Sequence, residues 1–165
     1  MSLPDAELLL ADLAAQMRPQ MTPDTALVGL HTGGVWVAQR LHALLGLAQQ
    51  PGALDVSFYR DDYAQRGLSR DARRSSLPFD IEGRPLVLVD DVLHTGRTVR
   101  AALNELFDYG RPARVELAVL VDRGGRQLPV APTWCAARYE PPAGSRVKLV
   151  QDDGRLALRL VQDQE

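Results

Sequence analysis

Short, unbroken apolar runs constrain this chain more than any other feature. Ala26-Leu27-Val28-Gly29-Leu30 and Pro85-Leu86-Val87-Leu88-Val89 are too short for buried helices, and they lack the alternation of a strand with one wet face. Strands of that kind are covered on both sides, as in a parallel sheet. Each is followed by a turn and a helical pattern: Val35 to Leu47 after the first, Arg97 to about Tyr109 after the second. In the second helix Val99, Ala102, Leu103, Leu106 and Phe107 share a face, and Gly110 and Pro112 supply the stop. Val115 to Val121 reads as a further buried strand. Strands alternating with helices predict an α/β domain with a mainly parallel central sheet flanked by helices.

The remaining segments fit around that frame. Ala6, Leu9, Leu10, Leu13, Ala14 and Met17 fall at helical spacing within 5–17, and Pro19 and Pro23 end that helix. Asp55 to Tyr59 alternates like a strand. Short strands near 133–137, 146–150 and 156–161, the last two joined at Asp153-Gly154, predict a small C-terminal β element over about 133–165. At 165 residues the expectation is a single domain, 1–165. Residues 60–80 stand apart as a polar stretch with little apolar periodicity, and a loop of that length is usually functional or disordered.

Composition removes several function classes. The net charge of −2 argues against coating nucleic acid by bulk charge alone. Lys148 is the sole lysine beside 18 arginines, a bias that follows a GC-rich genome. Cys135 is the only cysteine, which excludes an intrachain disulfide or a multi-cysteine metal site, and it reads as a small buried hydrophobe. No apolar run approaches the ~18 residues of a membrane span, and Met1-Ser2-Leu3-Pro4-Asp5 is no secretory leader, so a cytoplasmic protein without membrane partners is expected.

The turns 31–34, 90–98 and 122–125 all follow predicted parallel strands, where open α/β sheets bind ligands. In the second, Asp90 and Asp91 come first and Thr95-Gly96-Arg97-Thr98 then opens a helix. Carboxylates accept hydrogen bonds from a sugar diol, and backbone N–H groups at a helix N-terminus suit a phosphate dianion. Together they describe a ribose 5-phosphate site. The competing reading is a helix capped by Thr95 with two solvated aspartates. Neither the lysine-containing phosphate loop nor the Gly-x-Gly-x-x-Gly turn is present.

Residues 86–98 resemble the phosphoribosyl-pyrophosphate motif of type I phosphoribosyltransferases. Asp55 to Asp62, Tyr109-Gly110-Arg111-Pro112, Leu117 to Gly124 and Leu128-Pro129 narrow the likeness. They are similar to the bifunctional family of pyrimidine-operon attenuation regulators with uracil phosphoribosyltransferase activity, the PyrR-like group. The resemblance implies a type I phosphoribosyltransferase fold with a C-terminal or hood β element, converting uracil and phosphoribosyl pyrophosphate to UMP and pyrophosphate. Asp90 and Asp91 would hold the ribose hydroxyls, and Leu93, His94, Thr95, Gly96, Arg97 and Thr98 the 5-phosphate. Thr32, Gly33 and Gly34 would face the pyrophosphate. Arg60 would act in catalysis at the start of a mobile active-site loop over 60–80, and Asp122 and Arg123 would lie near the base. Magnesium would bind through substrate oxygens, with Asp61 or Asp62 as the candidate protein contacts.

The likeness also carries departures. Gly33 stands where the family has Arg, His94 where it usually has Tyr, and Gly125 where it commonly has His. Family members bind messenger RNA and form homodimers or higher homo-oligomers. Here residues 1–24 carry Asp5, Glu7, Asp12 and Asp24 against Arg18, which makes the N-terminal helix a poor RNA platform. Arg111, Arg114 and Arg138 are candidates for a rebuilt patch. The alternatives are an RNA-binding attenuator with weak or lost catalysis and a transferase for another base.

Overall fold

The computed structural model describes residues 2–56 and 75–164. Arg60, Asp61, Asp62, most of the 60–80 stretch and positions 57–59 of the strand expected at 55–59 lie outside the described residues.

Helix α1, Ala6–Met17, and a 3-10 turn at Arg18–Gln20 precede β1, Ala26–Leu30, and α2, Gly33–Leu45. Next come β2, Gly52–Leu54, β3, Pro85–Leu93, and α3, Arg97–Tyr109. The chain closes with β4, Arg114–Asp122, β5, Trp134–Arg138, β6, Ser145–Asp152, and β7, Arg155–Gln162. Strands β1 to β5 form one parallel sheet in the order β2-β1-β3-β4-β5, and β6 and β7 form a separate antiparallel pair. The mainly parallel sheet and the C-terminal β element are therefore as expected.

Three boundaries differ from the sequence reading. The second strand lies at Gly52–Leu54, pairing with Val28–Leu30, and Asp55 and Val56 follow it outside any strand. A three-residue strand is too short to show periodicity. Helix α2 begins at Gly33, so two glycines expected in the turn are its first residues. Strand β3 continues through Asp90, Asp91 and Val92 to Leu93, because β4 is long enough to pair with it as far as Leu93↔Asp122.

Both faces of the sheet are covered, which is why its strands are apolar throughout. Leu27, Val87, Val89 and Leu120 pack with Leu10, Leu13 and Met17 of α1 and with Val37 and Leu41 of α2. On the other face Val28, Leu30, Leu86, Leu88 and Val119 meet Val99, Ala102 and Leu106 of α3. Buried alternate residues of the hairpin, Val147, Leu149, Leu156 and Leu158, join the first of these cores. The hairpin reverses at Asp153 and Gly154, both at positive φ, the geometry that favours this dipeptide.

The Asp5 carboxylate caps α1 by accepting the Glu7 and Leu8 N–H groups. Glu7 accepts both terminal nitrogens of Arg40 on α2 and the Leu156 N–H of β7, tying two helices and the hairpin at one carboxylate. No helix among the described residues is long and apolar enough to cross a membrane.

Candidate active site

The strand order reverses beside β1, so the connections leaving β1 and β3 depart to opposite faces of the sheet. The crevice between them at the carboxyl ends is the binding position of a doubly wound sheet. Here the two turns come so close that side chains are excluded. A Cβ on Gly33 would lie 2.2 Å from Asp91 Oδ2, and one on Gly34 would lie 2.4 Å from the Val89 carbonyl oxygen. Thr32 precedes them as the N-cap of α2 without a side-chain capping bond.

Asp90 and Asp91 occupy the part of β3 that outruns β1. The β1 ladder reaches only Val89, and the carboxylates receive the next amides: Asp90 Oδ1 accepts the Asp91 N–H, and Asp91 Oδ1 accepts the Val92 N–H. Asp90 is buried. Asp91 is half-buried, with its second oxygen beside Gly33.

Past β3 the chain is gripped from one side. The Leu93 carbonyl accepts the Arg123 N–H at 3.0 Å, and the Thr95 carbonyl accepts those of Gln127 and Leu128 at 2.9 and 3.2 Å. The His94 carbonyl accepts Nη1 of Arg126 at 2.7 Å. In a trans peptide the C=O and the following N–H point in opposite directions. Three successive carbonyls turned toward residues 123–128 therefore turn the N–H groups of His94, Thr95 and Gly96 the other way. Gly96, at φ 94, caps the N-terminus of α3, and Thr95 Oγ1 accepts the Arg97 N–H. Arg97 Nε donates to Gln127 Oε1, and Thr98 is half-buried in the first helical turn. Converging amides at a helix N-terminus form an anion cradle.

The His94 ring continues the seam. Nδ1 lies 2.9 Å from the Gly124 carbonyl, which can only accept, so Nδ1 carries the proton. A Cβ on Gly125, at φ 77, would lie 2.6 Å from Cε1 of this ring. The His94 imidazole thus fills the space in which a side chain at 125 would begin.

A cavity of about 630 Å³ opens beside the seam, walled by Asp122, Arg123, Arg126, Arg138, Tyr139 and Glu140. Asp122 accepts both terminal nitrogens of Arg126 and the Gly124 N–H. Burial pushes its carboxyl upward, but the bonds from Arg126 and Gly124, with the charges of Arg126 and Arg138, hold it below its ordinary value. Arg123 Nε is buried without a partner.

The structure therefore gathers Thr32, Gly33, Gly34, Asp90, Asp91, Leu93, His94, Thr95, Gly96, Arg97, Thr98, Asp122 and Arg123 along the carboxyl edge of adjacent strands. The sequence alone gives no role to Arg126, and it offers Arg138 only as a candidate for an RNA patch. The signal for Arg126 was its place four residues after a buried strand-end aspartate. Arg114 opens β4 at the other edge and pairs with Glu116, while Arg138 ends β5. At 3.3 Å per residue the length of β4 separates them by roughly 26 Å, so these arginines make no common patch.

The Phosphoribosyl transferase domain family matches residues 2–136. The "Bifunctional protein PyrR" of Ralstonia nicotianae is 53% identical over 152 residues, covering 90% of this chain and 87% of that protein. Its namesake in Pseudomonas aeruginosa is 53% identical over 154 residues, covering 91% of each. Among solved structures, the purine phosphoribosyltransferase of Pyrococcus horikoshii superposes with a TM-score of 0.64 at 27% identity, covering 81% of this chain and 82% of that one. A hypoxanthine phosphoribosyltransferase of Trypanosoma cruzi gives 0.69 at 18% identity, covering 94% and 92%, a likeness of fold.

Proposed function

The chain belongs to the phosphoribosyl transferase family, within its PyrR group, and on that premise we propose that it transfers ribose 5-phosphate from phosphoribosyl pyrophosphate to uracil, releasing UMP and pyrophosphate. The observation that carries this reading is the turn at 93–96. Its carbonyls are consumed on one side, and its amides converge on the other, next to two strand-end aspartates. That pairing suits one small ligand with a phosphate at one end and a diol beside it.

In this scheme the amides of 94–96, with Thr95 and Thr98, hold the 5-phosphate, and Asp90 and Asp91 hold the ribose hydroxyls. The side-chain-free turn at Thr32-Gly33-Gly34 admits the pyrophosphate close to the backbone. The cavity beside Asp122 takes the base. Uracil offers two carbonyl acceptors, and the Arg123 guanidinium on the cavity wall is a donor group suited to one of them. Arg60, placed in catalysis by resemblance alone, lies outside the described residues.

Magnesium fits the donor chemistry as a substrate-bound ion. Asp91 presents a part-exposed carboxylate at the pyrophosphate turn. Such an ion would take most of its ligands from substrate oxygens and supply charge neutralisation to the leaving group. The whole chain acts as one domain in this reading, and the family resemblance favours a homodimer or higher homo-oligomer in the cytoplasm.

Radiolabelled uracil incubated with phosphoribosyl pyrophosphate and magnesium should yield UMP, and Asp90→Asn with Asp91→Asn should reduce turnover at least a hundredfold. Turnover of hypoxanthine or orotate in preference to uracil would replace the base while keeping the reaction class. Phosphoribosyl-pyrophosphate binding without turnover of any base would overturn the enzyme. Regulation through pyrimidine-operon leader RNA belongs to the same proposal as the second activity, measured as uridine-nucleotide-dependent filter binding.

A further inference from the structure

The three carbonyls that orient the phosphate turn are not held alike. Those of Leu93 and Thr95 accept main-chain N–H groups, which no substitution except proline removes. Between them, the His94 carbonyl accepts from a side chain, Nη1 of Arg126. The central peptide of the turn thus takes its tilt from one guanidinium.

That guanidinium is itself fully located. Nη1 and Nη2 pair with the two oxygens of Asp122 at 3.1 and 2.7 Å, and Nε donates to the Val130 carbonyl at 2.7 Å. Four of its five N–H donors are spent inside the protein. Gly124 and Gly125, at φ 75 and 77, turn the chain back after β4 and bring residue 126 over the end of β3.

We propose that Arg126 is a positioning residue: anchored on Asp122, it grips the His94 carbonyl and thereby aims the Thr95 N–H at the phosphate of the substrate. It couples the wall of the base cavity to the phosphate cradle without spending its main contacts on either ligand. The inference rests on the ribose 5-phosphate reading of the site. Without the guanidinium the His94 carbonyl turns toward water, and its peptide carries the Thr95 N–H out of line. Lysine keeps the charge, but its single ammonium cannot span the carboxylate and the carbonyl together in the planar fork arginine provides.

The test compares wild type, Arg126→Gln and Arg126→Lys. Ribose 5-phosphate affinity is read by calorimetry, KM and kcat for phosphoribosyl pyrophosphate by assay, and folding by thermal unfolding. Arg126→Gln should weaken ribose 5-phosphate binding about tenfold or more and raise KM by a similar factor, with kcat changed far less, since small misplacements of a binding group are costly. Arg126→Lys should fall between the two. A folded Arg126→Gln with wild-type affinity and KM overturns the proposal, as does a fall in kcat with KM unchanged. If Arg126→Gln fails to fold, Arg126→Lys decides: an unchanged KM overturns the inference, and a several-fold rise supports it. Ribose 5-phosphate binding needs no acceptor base. A wild-type chain that binds it yet makes no UMP defeats the proposed reaction and leaves the clamp standing. One that does not bind it defeats both.

Discussion

At the scale of single residues, adjacent glycines in the first turn have unequal duties. A methyl on Gly34 would meet the Val89 carbonyl and the Asp90 Cα, which are backbone and cannot swing aside. Gly34→Ala should therefore cost about 2–3 kcal/mol of stability, at the upper end of overpacking penalties, and a urea titration would measure it. The atoms nearest a methyl on Gly33 all belong to the Asp91 side chain. Gly33→Ala should lose about 1 kcal/mol yet cut UMP formation at least tenfold, because a carboxylate proposed to hold the ribose is displaced. Equal effects of the two substitutions on stability would contradict this division. The same geometry bears on the departure at position 33. In this chain the first residue of α2 lies against a carboxylate, with no room for a side chain unless Asp91 moves. The His94 imidazole likewise replaces bulk at 125 instead of leaving a hole there.

Among the elements, α3 carries a pH-dependent contribution away from its N-terminus. Burial pushes the Glu105 carboxyl above its ordinary value, and Asp55 and Asp108 add to this, while the bond from the Ser75 hydroxyl opposes it. An acid with a raised folded pKa binds more protons in the native state than in the unfolded one, so its contribution falls as pH rises through that interval. Glu105→Gln removes that loss. Its melting temperature should exceed that of wild type at pH 7–8 and converge with it near pH 4. A parallel offset at both pH values would show that charge is not the cause. The C-terminal hairpin depends on another carboxylate. The Arg40 guanidinium holds Glu7 below its ordinary value against the opposing effect of burial, aided by the Leu156 N–H. Glu7→Ala should cost about 1–2 kcal/mol and speed hydrogen exchange in β7 more than in β3.

For the molecule as a whole, the parallel order β2-β1-β3-β4-β5 places the ligand crevice, and two solved structures that share the fold are named as a purine and a hypoxanthine phosphoribosyltransferase. Overall shape therefore leaves the base open. The cavity beside Asp122 is where bases would be distinguished, so uracil turnover should survive tenfold excess hypoxanthine but not tenfold excess unlabelled uracil. Suppression by hypoxanthine would reassign the base. The charge distribution acts at the same scale. Arg138 belongs to the cavity wall and Arg114 to the opposite edge of the sheet, so those two arginines do not form one local cluster.

Much of this arrangement was legible in the amino acids. Continuous apolar runs can be satisfied only between two covering layers, and this made the sheet parallel and put the turns after β1, β3 and β4 at one edge. Two aspartates before a Thr-Gly-x-Thr turn pointed to the strand end and helix N-terminus that the structure brings together there, and Asp153-Gly154 named the hairpin. Strand β2 was missed because three residues carry no period. The end of β3 was misplaced because pairing with β4, not local polarity, keeps Asp90 to Leu93 extended. Local pattern determined which segments are strands, helices and ligand turns, since burial acts through period and turn chemistry through residue type. Tertiary structure alone decided which way the peptides of 93–96 face, that Arg126 holds the middle one, and that Gly33 and Gly125 are filled against by Asp91 and His94. Those outcomes depend on contacts between residues some 30 to 60 positions apart, and no local spacing encodes such contacts.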